Sequence, residues 1–206
     1  DIFLSQNKTL AEYLGKRQIV VCLNGDISSE LEAKIKWYFK NSLYSNKVLY
    51  IKTEKDGMDG SLEICKEAKV WNADRDCVFV AFGGEDIRSK TGVAARLFRR
   101  GVKYIYVPTV NIGPIDVAAI MKPSFLYDNS VNLGALYPPE AVILDIETMP
   151  EQGLEYANKK ETIDILGNRG YDLFLPSDVR YSVLDTPNLF TEQNETIAGY
   201  CKDRPV

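Results

Sequence analysis

None of the 206 residues is histidine. Imidazole is the usual general base near neutral pH and the commonest zinc ligand, so a Ser-His-Asp triad made by these residues is excluded. Carboxylate, lysine or thiolate chemistry remains open. No run approaches the roughly 20 apolar residues that a membrane helix needs, and the opening DIFLSQNKTL lacks the charged-then-apolar layout of a secretion signal. The expectation is a soluble, cytoplasmic protein with no membrane partner. Position 1 is not Met, so some N-terminal sequence is expected to be missing. Cys22, Cys65, Cys77 and Cys201 show no CxxC spacing, and three of them fall in expected strands or helices, which reads as buried, reduced thiols. A net charge of -4 and a pI near 5.1 give no general reason to expect nucleic-acid binding. The one basic patch is Arg96, Arg99 and Arg100, which reads from the residues alone as a solvated helix end. Neither G-x-G-x-x-G nor GxxxxGK[ST] occurs.

What is present is a regular alternation. With 45% apolar residues the chain can bury one sizeable core. QIVVCLN (18–24), KVLYIKT (47–53), DCVFVAF (76–82) and VKYIYVPT (102–109) are short apolar runs that suit strands buried on both faces. Between them, the stretch after Asn24 reads as a helix with a Ser29/Glu32 capping box and Leu31, Ile35, Tyr38 and Phe39 on one stripe. Residues 61–70 and 90–100 read as further helices, the latter turning Val93, Ala94, Leu97 and Phe98 inward. Strands alternating with helices predict βαβ units, hence an α/β fold with a Rossmann-like, mainly parallel sheet flanked by helices. A short helix PIDVAAIM, a hairpin around SFLYDNSVNLGALYPP and a strand at 141–148 follow. Residues 1–150 read as this domain, and 151–206 as a short, mostly helical or irregular C-terminal appendage.

Ligands of such sheets sit at the carboxyl ends of the strands. There the Gly83-Gly84 pair lets backbone N–H groups approach a phosphate, and the helix that follows adds partial positive charge. Glu85 and Asp86, however, set two carboxylates where a diphosphate would rest. Taken alone, these residues favour a structural strand-to-helix turn.

The string FGGEDIRSKTGVAARLFRRGVKYIYVPT, then IDVAAIMKPS, then NLGALYPPEAVILDIETM resembles the N-terminal domain of 3-dehydroquinate synthase and its relatives, the sugar phosphate cyclases. The likeness is strong over 76–149 and weaker over 18–75. It implies a Rossmann-like domain that binds NAD, followed in active members by a helical domain holding a catalytic metal. Such enzymes oxidise a sugar phosphate hydroxyl, eliminate phosphate, reduce the ketone and close a carbocycle. On the cofactor side, Gly83, Gly84 and Thr109 match the family pattern. Glu85 stands at the third turn glycine, Ser89 at an acidic position and Val110 at a second threonine. On the substrate side, Arg100, Asp116, Lys122 and Asn132 match, with Val131 in place of a lysine.

The family arginine that Arg100 matches is understood to reach across a dimer to the phosphate of the substrate in the other subunit. The metal-ligating glutamate falls near Lys159, and the two ligating histidines have no counterpart here. No cofactor is therefore expected to bind tightly: NAD is open to test, and zinc or cobalt would come only through a partner chain. The resemblance implies a metal-free auxiliary subunit, a pseudoenzyme paired with a full-length cyclase of the same family as a heterodimer, or with itself as a homodimer. The alternatives are an active cyclase completed by another chain, or a binding module for nucleotide or sugar phosphate. Read singly, Asp116 and Lys122 are equally a surface ion pair, Asn132 a turn residue, and Lys159 and Lys160 solvated.

Overall fold

The four apolar runs each become a strand: β1 (Ile19–Asn24), β2 (Val48–Thr53), β3 (Val78–Gly83) and β4 (Lys103–Pro108). The computed structural model describes residues 3, 9–42, 47–110, 122–127 and 131–143. Helices α1 (Thr9–Leu14), α2 (Ser29–Lys40), α3 (Gly57–Val70) and α4 (Glu85–Leu97) precede or link these strands. A 3-10 turn, Phe98–Arg100, ends α4. An antiparallel hairpin, β5 (Ser124–Tyr127) and β6 (Val131–Gly134), and a two-residue strand β7 (Ala141–Val142) follow.

The five-stranded sheet has the order β2-β1-β3-β4-β7, with every neighbouring pair parallel. Its register sets Asn24 beside Thr53 and Gly83 beside Pro108, so the strands end together along one edge. The chain runs from β1 outward to β2, then returns past β1 to β3. That reversal opens a crevice at the carboxyl ends of β1 and β3, where α/β sheets place their ligands.

Alternate side chains of each strand feed two cores. One face carries Ile19, Val21, Val78, Val80, Phe82 and Ile105 against Leu10 and Leu14 of α1 and Ile35 and Phe39 of α2. The other carries Val20, Cys22, Phe79, Ala81, Tyr104 and Tyr106 against Ile64 and Ala68 of α3 and Ile87, Ala94 and Ala95 of α4. Both faces being covered, the strands need no polar alternation. Each large apolar side chain so buried contributes about 1.5–3 kcal/mol.

Several boundaries differ from expectation. The capping box is displaced: Ser28 is the N-cap of α2, and its hydroxyl accepts from the Leu31 amide at 3.2 Å. Glu32 instead accepts from Lys36 and Lys52 at 2.6 and 3.2 Å. Helix α3 begins at Gly57, inside the expected loop, and α4 begins at Glu85 instead of residue 90. Leu97, expected inside, is exposed, because α4 tightens into the 3-10 turn there and carries it off the apolar stripe; Val93, Ala94 and Phe98 are buried as expected. Only Ala141–Val142 of the strand expected at 141–148 is assigned, and 144–148 lie outside the described residues. The helix expected at 114–121 and the whole stretch 151–206 also lie outside them. Cys22 and Cys77 are buried and Cys65 half-buried, all three as free thiols. No described helix is long and apolar enough to cross a membrane.

Candidate functional site

The Gly83-Gly84 turn is tied into the sheet from two directions. Gly83 has φ +148, and a Cβ there would lie 2.6 Å from Ile87 Cγ2. Its carbonyl accepts from the Thr109 amide at 3.2 Å and from the Tyr106 hydroxyl at 3.3 Å. Burial pushes the Tyr106 hydroxyl up, against a smaller downward pull from the Arg88 charge, so it stays protonated and donates. Gly84 has φ -87 and caps α4 without a side-chain hydrogen bond. A Cβ at Gly84 would meet only Val110 Cγ2, at 3.0 Å.

Helix α4 is buried nearly all round. The sheet covers one side, and on the other Pro123, which leads into β5, packs so closely that a Cβ on Gly92 would lie 2.7 Å from its ring. Arg88, Ser89, Lys90 and Thr91 are buried in consequence. Charges taken out of water require partners. Arg88 Nη2 donates to Glu85 Oε1 at 3.0 Å, and Lys90 Nζ to Asp86 Oδ2 at 2.6 Å, with Asp56 Oδ1 at 3.9 Å. The Lys90 stem lies where a Cβ on Gly60 would sit 2.9 Å from its Cδ, so Gly60 makes room for it. Ser89 Oγ is buried and has no hydrogen-bond partner. None of these four buried residues was singled out from sequence for burial. The signal that would have found the two cations is the E-x-x-R and D-x-x-x-K spacing, which puts opposite charges on one helix face.

On the β1 and β2 side of the turn a cavity of about 300 Å³ opens at the strand ends. Its walls are Asn24, Gly25, Asp26, Thr53, Glu54, Asp56, Asp86 and Lys90. Four carboxylates face one ammonium, and that ammonium is already held by Asp86. A diphosphate does not fit this wall electrostatically, since like charges at such range repel and the helix end is offset by its own acids. Among the described residues no group of three or more His, Cys, Asp or Glu side chains is placed to hold a metal ion.

The structure brings Gly83, Gly84 and Thr109 together at the carboxyl edge and separates them from Arg100. Arg100 stands at the amino end of β4, and six strand residues at about 3.3 Å each put it roughly 20 Å from the glycine turn. It is exposed, in a left-handed turn formed by Arg99 (φ 47), Arg100 (φ 72) and Gly101 (φ 115). Arg99 Nε donates to the Ala73 carbonyl at 2.7 Å, and Arg96 lies over the Tyr137 ring, 5.6 Å from its centroid. The Tyr137 hydroxyl donates to the Val102 carbonyl at 2.9 Å, so the segment before β7 packs on this turn. Lys122 and Asn132 are exposed, one just before β5 and the other on β6, paired with Leu126. Asp116 lies outside the described residues.

Residues 50–158 match the family described as 3-dehydroquinate synthase N-terminal. A 3-dehydroquinate synthase of Ruthia magnifica subsp. Calyptogena magnifica is 24% identical over 196 residues, 94% of this chain and 50% of that protein. One from Acidithiobacillus ferrooxidans is 27% identical over 211 residues, 98% of this chain and 56% of the relative. The chain thus spans about half the length of these relatives. Among solved structures, a 2-deoxy-scyllo-inosose synthase superposes with a TM-score of 0.61 at 21% identity, over 73% of this chain and 43% of that one. A 2-epi-5-epi-valiolone synthase from Streptomyces hygroscopicus, solved with NAD+ and Zn2+ bound, gives 0.59 at 22% identity over 69% and 40%. These likenesses extend the parallel sheet and its flanking helices to the sugar phosphate cyclase fold. With the family pattern covering more than half of its residues, this chain belongs to the 3-dehydroquinate synthase family, in the part that forms the N-terminal domain.

Proposed function

We propose that this chain works as a sugar phosphate cyclase-type subunit, auxiliary in role, that pairs with a full-length cyclase of the same family. In that pair it presents Arg100 to the phosphate of the substrate held by its partner. The observation that carries this reading is the position of Arg100: exposed, at the amino end of the sheet, and on the far side of the strands from the glycine turn of its own chain. A guanidinium so placed is out of reach of its own strand-end crevice. It engages no other described residue, so its five donors face outward, in the fork geometry that suits phosphate. A metal, where the chemistry needs one, would be held by residues outside these 206, since none of them is histidine.

The test is the purified complex with its partner. Arg100→Ala is expected to lower kcat/KM for a heptulose phosphate about 10- to 100-fold, the worth of one charge-assisted contact, while the complex still elutes intact. An unchanged rate would confine the subunit to a structural role. Phosphate release by this chain alone, supplied with NAD, zinc and a heptulose phosphate, would replace the auxiliary reading with that of an enzyme in its own right.

A further inference from the structure

Three consecutive residues of positive φ display Arg100, and two of them, Arg99 (φ 47) and Arg100 (φ 72), carry side chains that disfavour such backbone. Backbone of this kind persists only where its surroundings over-determine it. Two hydrogen bonds close the turn from within: the Gly101 amide donates to the Phe98 carbonyl and the Val102 amide to the Ala95 carbonyl, both at 2.9 Å. A third comes from outside, from the Tyr137 hydroxyl to the Val102 carbonyl at 2.9 Å. A Cβ on Gly101 would lie 3.0 Å from that hydroxyl, so glycine after Arg100 makes room for the ring. Burial pushes the Tyr137 hydroxyl up, against a smaller downward pull from Arg96, so it stays protonated and donates.

We propose that Tyr137 is a positioning residue, whose hydroxyl holds the left-handed turn closed and thereby fixes how Arg100 is presented at the surface. The meaning of this role for catalysis rests on the reading of Arg100 as a phosphate contact in trans. Tyr137 is the better anchored of the two partners. Its ring stacks on buried Tyr104 of β4, with centroids 6.1 Å and planes 15° apart. The chain on either side is tied down, the Ala135 amide to the Pro123 carbonyl at 3.0 Å and the Glu140 amide to the Tyr104 carbonyl at 2.7 Å. The Glu140 carboxylate also accepts from both Nη atoms of Arg17 at 3.1 Å. Arg96, lying over the Tyr137 ring, brings its Nη1 within 3.6 Å of the same Cβ position on Gly101 and packs the ring against the turn.

Two assays compare wild type with Tyr137→Phe, which keeps the stacked ring and deletes only the hydroxyl. In the first, the chain alone is digested with trypsin under native conditions. Cuts after Arg99 and Arg100 are timed by mass spectrometry against the cut after exposed Lys40 of α2. Cleavage tracks the population of opened backbone, so loss of one neutral hydrogen bond predicts about fivefold faster cutting at the turn, with the Lys40 cut unchanged. Equal rates at the turn, or the same acceleration at Lys40, would overturn the proposal. In the second, kcat/KM for a heptulose phosphate is measured on the complex with the partner chain, adding Arg100→Ala and Arg100→Ala/Tyr137→Phe. Tyr137→Phe should lower it about threefold or more, because a misplaced contact loses most of its value, and should cost nothing further once Arg100 is alanine. If Arg100→Ala lowers the rate while Tyr137→Phe does not, or if the two losses multiply, Tyr137 does not act through Arg100. If Arg100→Ala leaves the rate unchanged, the phosphate reading fails by itself, and the trypsin cuts alone decide whether Tyr137 holds the turn.

Discussion

Replacing Gly83 by alanine should cost far more than the same change at Gly84, one residue along. At Gly83 the backbone has φ +148, which side-chain-bearing residues rarely adopt; holding such a conformation costs about 1–3 kcal/mol. The new methyl would also lie 2.6 Å from Ile87 Cγ2, on a fully buried and branched side chain that has no room to retreat, and overpacking of that kind adds about 1–3 kcal/mol. Together the loss is about 2–6 kcal/mol, or a fall in Tm of about 4–24 °C for a chain of this size. At Gly84 the backbone φ is -87, which any residue adopts, and the only near atom is Val110 Cγ2 at 3.0 Å, on an exposed side chain that can rotate away. The expected cost there is under about 1 kcal/mol. Urea unfolding of the two variants, followed by circular dichroism with the slopes compared, measures the difference. Equal midpoints for Gly83→Ala and Gly84→Ala would refute the account of the turn.

Two further outcomes follow from titration. Burial pushes the Cys22 and Cys77 thiols up to about 12 and Cys65 up to about 11, so all three stay protonated in mildly alkaline buffer. Iodoacetamide mapped by mass spectrometry should label them slowly in the native protein and rapidly in urea; fast native labelling of Cys22 would contradict its placement in the sheet. Glu63 is held below the ordinary carboxylate range first by its hydrogen bond to Lys55 and then by that from Thr53. Its contribution to stability is present above the unfolded value and lost as the pH falls through the lower, folded one. Unfolding midpoints on acidification should therefore decline less steeply in Glu63→Gln than in wild type, and identical slopes would show that the contact contributes nothing.

The strands were legible because burial on both faces leaves an unbroken apolar run, and Val78–Gly83 is buried throughout as DCVFVAF suggests. Helix starts were less legible. Ser28 and Ser29 are chemically alike, and only the backbone decides that Ser28 accepts from Leu31. Helix α4 starts at Glu85, ahead of the helix expected at 90–100, because Glu85, Asp86 and Arg88 supply no apolar periodicity to mark its first turn. The burial of Arg88 and Lys90 goes with Pro123 and the hairpin folding over Gly92, a long-range event that local periodicity does not encode. The glycine pair was visible, but which glycine is indispensable was not, since that lies in a φ angle. Likewise the family resemblance pointed to Arg100 but not to its separation from Gly83, which comes from strand direction.

The consecutive left-handed residues before β4 set stability against charge. An L residue held there loses about 1 kcal/mol or more that glycine would not. A screen for heat-resistant clones should therefore harvest Arg99→Gly and Arg100→Gly as winners, and those clones would have discarded the cations that the turn displays. Hardening this protein by selection on temperature would blunt that corner, and libraries should hold both positions fixed.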